Sequence, residues 1–233
     1  MPRYRMTAGP ALLALGLLAA GCNLIAGQTP APAGPHSFVS GETLTLEGRL
    51  AYWPSGQTGR IQNLSPNPSA RGIYSTDVAA DGSFRLIAGP PPNQALGDFG
   101  ACQNQLSIRP SNPAILALSL GASQGGTFAG YVEETEGGSR DEVEGRRQID
   151  YLFNGGAGTW VKGTCRRTIT AGAFTQTFQV TYQDVYLYPG WNALVLRLDT
   201  YQRGTNTLTE AYTAKVAQDE VGFSWVFEDF NRN

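Results

Sequence analysis

In the run Phe174-Thr175-Gln176-Thr177-Phe178-Gln179-Val180-Thr181-Tyr182, the apolar residues Phe174, Phe178, Val180 and Tyr182 fall on one phase of a two-residue period, and Thr175, Thr177, Gln179 and Thr181 fill the other. A period of two builds a half-buried strand and gives no continuous apolar stripe on a helix. The same period returns in shorter runs along the chain, and 29 glycines and 14 prolines break the runs at intervals too short for helices. Thr, Val, Tyr and Gln between those breaks favour pleated, half-buried backbone. The expected fold is all-β: an antiparallel β-sandwich of ten or so short strands with very little helix. No internal repeat of fixed period is present.

Read in order, the first alternating run is Glu42–Leu50, with Leu44, Leu46, Gly48 and Leu50 on one face. A polar turn at 54–57 follows. Ile73–Val78 and Ser83–Ile87 flank Asp81-Gly82, a pair that predicts a hairpin because glycine takes the positive-φ position of a tight turn at no steric cost. Residues 89–104 read as a Pro/Gly-rich loop carrying Cys102. Strands are predicted at Ile115–Leu120 and Thr127–Glu133, and a charged, glycine-containing stretch at 134–147 reads as an exposed connection. Gln148–Phe153 and Gly158–Cys165 are expected to pair around Asn154-Gly155-Gly156. After Tyr182 the apolar phase slips at Gln183-Asp184, so that Val185 and Leu187 take over, which predicts a β-bulge or a strand break. Pro189-Gly190 turns the chain into Asn192–Tyr201. Leu208–Val216 fits a strand or a short helix, and Phe223–Phe227 closes the sheet.

The N-terminal 21 residues combine Arg3 and Arg5 with a short apolar run ending Leu18-Ala19-Ala20-Gly21-Cys22. The run falls short of the roughly 20 residues a membrane-spanning helix needs. Small residues directly before a cysteine resemble the lipobox of bacterial lipoprotein signals. That resemblance implies removal of 1–21, a lipid on Cys22 (diacylglycerol and a further acyl chain such as palmitate) and an anchor in the membrane. Asn23 after the cysteine resembles the outer-membrane sorting pattern of two-membrane bacteria. Residues 22–37, with Pro30, Pro32 and Pro35 among Ala and Gly, read as an extended tether. The remainder, 38–233, is the folded part, as one unit or as two packed subdomains at 38–134 and 146–233. If Cys22 is lipidated outside the cytoplasm, Cys102 and Cys165 are left as a disulfide pair; the alternative is two buried free thiols.

Two further resemblances concern the folded part. Leu46-Glu47-Gly48-Arg49-Leu50 and Thr76–Leu86 resemble the carboxypeptidase-regulatory, transthyretin-like β-sandwich family over residues 40–88, which implies an Ig-like or transthyretin-like sandwich. Val185-Tyr186-Leu187-Tyr188-Pro189-Gly190-Trp191-Asn192, with Gly158–Cys165 before it and Phe223–Phe227 after it, resembles secreted bacterial lipoproteins with a strand–Gly-Trp-Asn–strand hairpin. This second likeness implies an architecture and no chemistry.

Charge and residue supply limit the chemistry. Losing Arg3 and Arg5 would leave 15 of the 17 basic residues against 19 acidic ones, a formal charge of −4. That speaks against a nucleic-acid partner. One histidine, His36, precludes a histidine-rich metal site, and two remaining cysteines make a poor thiolate site. No cofactor is expected and no metal ligand set is assigned. Gly121-Ala122-Ser123-Gln124-Gly125 has the Gly-x-Ser-x-Gly spacing of a nucleophile elbow. A strand pattern follows it instead of a helix, and His36 lies upstream in the tether, so a glycine-rich hairpin turn is the expected structure. Glu133, Glu134, Glu136, Asp141, Glu142 and Glu144 are candidates for Ca²⁺ ligation or a glycosidase carboxylate pair. Arg140, Arg146 and Arg147 between them favour a solvated loop instead.

Trp53, Trp160, Trp191 and Trp225 with ten tyrosines can supply either core or a sugar-stacking surface. The expectation is a non-enzymatic, lipid-anchored envelope protein with no catalytic residue, outside the cytoplasm. It serves as a structural or interaction module toward the membrane and an envelope protein or glycan. The alternatives are glycan or peptide binding through an aromatic surface, and an envelope hydrolase using Ser123 or the 133–144 carboxylates.

Overall fold

The computed structural model describes residues 41–65, 67–218 and 220–229. The proposed signal and tether, Cys22 and His36 lie outside the described residues. Among the described residues thirteen strands form: β1 (Leu44–Arg49), β2 (Gly59–Leu64), β3 (Ser75–Val78), β4 (Ser83–Ala88), β5 (Leu106–Arg109), β6 (Ile115–Gln124), β7 (Thr127–Glu136), β8 (Arg147–Asn154), β9 (Thr159–Ala171), β10 (Phe174–Leu187), β11 (Gly190–Arg203), β12 (Thr207–Val216) and β13 (Phe223–Asp229). Two single 3₁₀ turns, Asn93–Ala95 and Gly100–Cys102, are the only helical elements among the described residues. The fold is all-β and sandwich-like, as the two-residue period requires.

One large sheet runs β3-β2-β6-β7-β8-β11-β12-β10-β9-β5, with β13 added to β7; β1 and β4 make a separate two-stranded sheet. Along it β3, β2, β6 and β7 lie together and β8, β11, β12, β10 and β9 follow; β5 at the far end and β13 on β7 cross that division. Its central strands are apolar on both sides. In β11, Trp191, Ala193 and Val195 face one core, and Leu194, Leu196 and Leu198 face a second. Buried on both faces, such a strand reads as a continuous apolar run. The first core is closed by Leu44, Leu46 and Leu86 of the small sheet against Ile61, Val132, Trp225 and Phe227. The second lies in the concavity made as the sheet rolls from β8 and β11 round to β10, β9 and β5. Burying one such large apolar side chain stabilises by roughly 1.5–3 kcal/mol.

Several local expectations are met. Leu116, Leu118 and Leu120 are all buried in the first core. The phase slip after Tyr182 is a β-bulge: the β9–β10 register shifts between Tyr182 and Val185, with Asp184 left-handed at φ 57°. Leu208–Val216 is a strand, held by antiparallel pairing to β11 and parallel pairing to β10.

Pairing departs from local expectation in three places. The Asp81-Gly82 turn forms, with Ala79 N–H donating to the Ser83 carbonyl at 2.9 Å and Gly82 at φ 86°. The strands it joins then part, β3 to β2 and β4 to β1, so it links two sheets instead of closing a hairpin. Similarly, β8 and β9 flank Asn154-Gly155-Gly156 without pairing, since β8 takes β11, β6 and β7, and β9 takes β10 and β5. Pro189-Gly190 turns β10 into β11, yet β12 lies between these two strands. Turn chemistry acts over a few residues, whereas the choice of partner is set by which apolar faces must be covered.

Strand β2 escapes the period rule because Asn63 occupies a buried position. Its side-chain amide donates to the Ala70 carbonyl and its Oδ1 accepts the Tyr74 N–H at 2.9 Å. A buried polar side chain thereby satisfies backbone groups of the 65–74 loop that no strand reaches. Gly121–Gln124 continues β6 as strand, and the chain reverses at Gly125 and Gly126, both at positive φ.

Candidate functional site

Three regions gather the polar and aromatic chemistry. The first is the 137–146 connection, whose end folds inward. Arg146 has only 2% of its side chain exposed and lies among Glu142 at 3.0 Å, Glu133 at 3.5 Å and Glu228 at 4.0 Å. It also donates to Gln148 Oε1 at 3.1 Å. Three carboxylates thus share one buried guanidinium. Burial pushes Glu133 well above the ordinary carboxylate range; the neighbouring Glu228 adds to the rise and Arg146 opposes it. Burial likewise pushes Glu142 up to about 7, against the pull of Arg146. Glu228 is raised by burial too. Arg140, on the same connection, donates to the Phe227 carbonyl and lies 3.8 Å from the Tyr52 ring centroid. Arg147 binds Glu136 and, at 2.8 Å, Glu220.

The expected solvated loop is therefore corrected in part. Backbone bonds from Gly145 N to the Leu198 carbonyl and from Leu198 N to the Arg146 carbonyl draw the end of the loop onto β11, which takes Arg146 and Glu142 in, while Asp141, Val143 and Glu144 stay exposed. Among the described residues no group of three or more His, Cys, Asp or Glu is arranged to hold a metal ion. Glu133, Glu136 and Glu142 turn toward guanidinium groups. Glu134 faces the other core, where it accepts the Tyr151 hydroxyl at 2.6 Å.

Ser123 lies on β6 at an open cleft of about 580 Å³ that Arg60, Asp77 and Ser83 also line. Its Oγ is 3.4 Å from the Arg60 carbonyl, and Arg60 pairs with Asp77 at 3.1 Å. A strand position beside a guanidinium lacks the sharp strand-to-helix turn that exposes an elbow serine.

The second region is the outer face of β9, β10 and β12. Trp53, Trp191 and Trp225 are core residues, whereas Trp160 is 49% exposed. Its ring lies 4.8 Å from Tyr186, and Tyr186 lies 4.7 Å from the exposed Tyr188. Gly158 underlies this strip, since a Cβ there would run into the Tyr186 ring. Asn192 holds the next turn: it accepts the Tyr188 N–H and donates to the Tyr188 carbonyl, both at 2.8 Å. Along the same face Thr164, Thr181 and Thr213 stand side by side on three strands. So do Thr168, Thr177 and Thr209, and then Thr170, Thr175 and Thr207. The β9–β10 hydroxyl pairs are 3.0, 3.3 and 3.4 Å apart. Arg166, Gln179 and Ala211 fill the row between the first two sets. Cross-strand Thr pairs stabilise a sheet by fractions of a kcal/mol each; they also present a regular array of donors and acceptors.

The third region is a cavity of about 320 Å³ inside the rolled sheet. The Cys102–Cys165 disulfide lies at its edge and spans 63 residues, with Cα atoms 5.1 Å apart. It ties the 3₁₀ turn at Gly100–Cys102 to β9.

The chain matches no family model, no curated protein and no solved structure.

Proposed function

We propose that the chain is a lipid-anchored module of the bacterial envelope that binds a polysaccharide strand along the outer face of β9, β10 and β12. The observation that carries this reading is the strip Trp160–Tyr186–Tyr188, three adjoining rings on an otherwise polar face. Pyranose rings present apolar C–H faces that stack on aromatic rings and a rim of hydroxyls that need hydrogen-bond partners. The threonine rows, Gln179 and Arg166 offer those partners in line with the strip. A peptide ligand would more naturally add to a free strand edge, and this array lies on the face of paired strands.

Sedimentation of the full-length protein with insoluble envelope polysaccharide tests the reading. Trp160→Ala is expected to weaken retention about tenfold, the scale of one aromatic contact plus its buried area. Gly158→Ala is expected to weaken it as well, by displacing Tyr186, with little change in Tm because the collision is with the far end of one side chain. Retention unchanged in both variants would remove the strip as the binding surface.

The anchor rests on Leu18–Cys22 and has its own test. Metabolic labelling with palmitate is expected to mark the wild-type protein and to be lost in Cys22→Ser, which leaves the membrane fraction. Labelling that survives the substitution would place the lipid elsewhere.

A further inference from the structure

The cavity inside the rolled sheet has a divided lining. Leu152, Leu194, Leu196 and Val180 make an apolar wall, and Glu133, Gln148 and Asp150 reach the space from β7 and β8. Tyr131, Phe178 and Tyr182 add aromatic rings. The lining brings together β6 and β7 on one side and β9 and β10 on the other, which are not neighbours in the sheet. Its volume is at the small end of the roughly 300–1,000 Å³ usual for small-molecule sites.

Asp150 is the unusual member of this lining. Glu133 shares Arg146, but the bond assigned to Asp150 is a neutral one, accepted from Gln148 Nε2 at 3.2 Å. Among the described residues no Lys or Arg lies within ion-pair distance of it. Burial raises its pKa and only the Gln148 bond opposes the rise. Asp150 is half-buried among aromatic rings with one neutral hydrogen bond and no counter-ion, so it gives up part of its hydration without an opposite charge to replace it. Of the other carboxylates on the lining, Glu133 is held by Arg146 and Glu134 accepts the Tyr151 hydroxyl. Asp150 is therefore the carboxylate that a cationic occupant would meet, with Arg167 elsewhere on the lining.

We infer that this cavity binds a small organic ammonium ion, its nitrogen paired with Asp150 and its hydrocarbon part against Leu152, Leu194 and Leu196. Tyr131, Phe178 and Tyr182 supply ring faces that attract a desolvated cation. The site is separate from the aromatic strip and does not depend on polysaccharide binding.

Thermal unfolding of the full-length protein in detergent tests the inference, with n-butylammonium chloride as probe and NaCl, n-butanol and sodium butyrate at matched concentration. Butylammonium is expected to raise Tm saturably, as a ligand of the folded state must, while the three controls leave it unchanged. Asp150→Asn is nearly isosteric and removes the unpaired charge. It is expected to abolish the butylammonium shift while leaving the ligand-free Tm equal or higher. A shift that persists in Asp150→Asn overturns the inference. So does an equal shift with butanol, which would mean an apolar pocket, or with butyrate, which would mean a site built on Arg167. If Asp150→Asn fails to fold, the order of the probes on the wild-type protein decides the matter alone.

Discussion

Replacing Arg146 by methionine is expected to cost about 3–5 kcal/mol at neutral pH, because it strips the counter-ion from three glutamates held largely out of water. At this chain length each kcal/mol moves Tm by about 2–4 °C, so the loss is visible in a simple melt. The cost should depend on pH. Below the ordinary carboxylate range Glu133, Glu142 and Glu228 are protonated with or without Arg146, and the substitution then removes mainly hydrogen bonds and packing. Above pH 8 the carboxylates face one another without a cation, and the loss is greatest.

The wild-type protein carries the same dependence in milder form. Glu142 titrates at about 7 in the folded chain, above its value in an unfolded one. Between those two values the folded state holds more protons than the unfolded state, so stability falls as pH rises. Its contribution is fully present below the unfolded value and is lost as pH passes through about 7, a change on the order of 3 kcal/mol for this group. Glu133 and Glu228, also raised, add to the slope in the same direction. Chemical denaturation between pH 5 and pH 9 should show stability declining toward alkali, and Glu142→Gln should flatten the curve. Stability rising over that interval would mean that the cluster is not buried in this form. The structural consequence is specific: Glu228 belongs to β13 and Glu133 to β7, so alkali should loosen the last strand first. Amide hydrogen exchange at 223–229 reads that directly.

The second large effect belongs to the disulfide. Cys102 and Cys165 close a loop of 63 residues, for which the chain-entropy model gives roughly 4 kcal/mol. Cys102→Ala with Cys165→Ala should lower the denaturant midpoint accordingly, and a reducing agent should do the same to the wild-type protein and nothing to the double variant. The bond holds the Gly100–Cys102 turn near edge strand β5, so amides of 93–109 should lose protection before those of the central strands. Equal stability of the oxidised and reduced protein would show that the closed loop is already ordered when unfolded.

The polar face of β10 was legible from its sequence alone, since Thr175, Thr177, Gln179 and Thr181 lie on one phase of the period. The threonine rows were not. They need the antiparallel register with β9 and the parallel register with β12, and parallel pairing leaves no local turn signal to find. Trp160 and Tyr186 were visible as aromatic residues in strands. The side on which Tyr186 emerges depended on the Tyr182–Val185 bulge, which brings it beside Trp160, and Gly158 leaves room for its ring. Sequence reasoning missed β2 because Ile61 is its only deeply buried aliphatic residue, and Asn63 hides in the core by satisfying its neighbours' backbone groups. The burial of Arg146 and Glu142 was missed for a related reason: six carboxylates and three arginines over residues 133–147 look like a solvated loop unless something draws the backbone onto the sheet.

Sequence by itself determined the class of structure. Two-residue periodicity interrupted by Gly and Pro admits strands and turns and little else, and the apolar run of β11 marks a strand buried on both faces. Those are local properties, decided by backbone sterics and by the apolar content of a few residues. Only the tertiary structure decided which strands pair, where Arg146 finds its three glutamates, and that Asp150 enters a cavity without a counter-ion. Such contacts join residues far apart in the chain, and they form because the rolled sheet must cover two apolar faces at once.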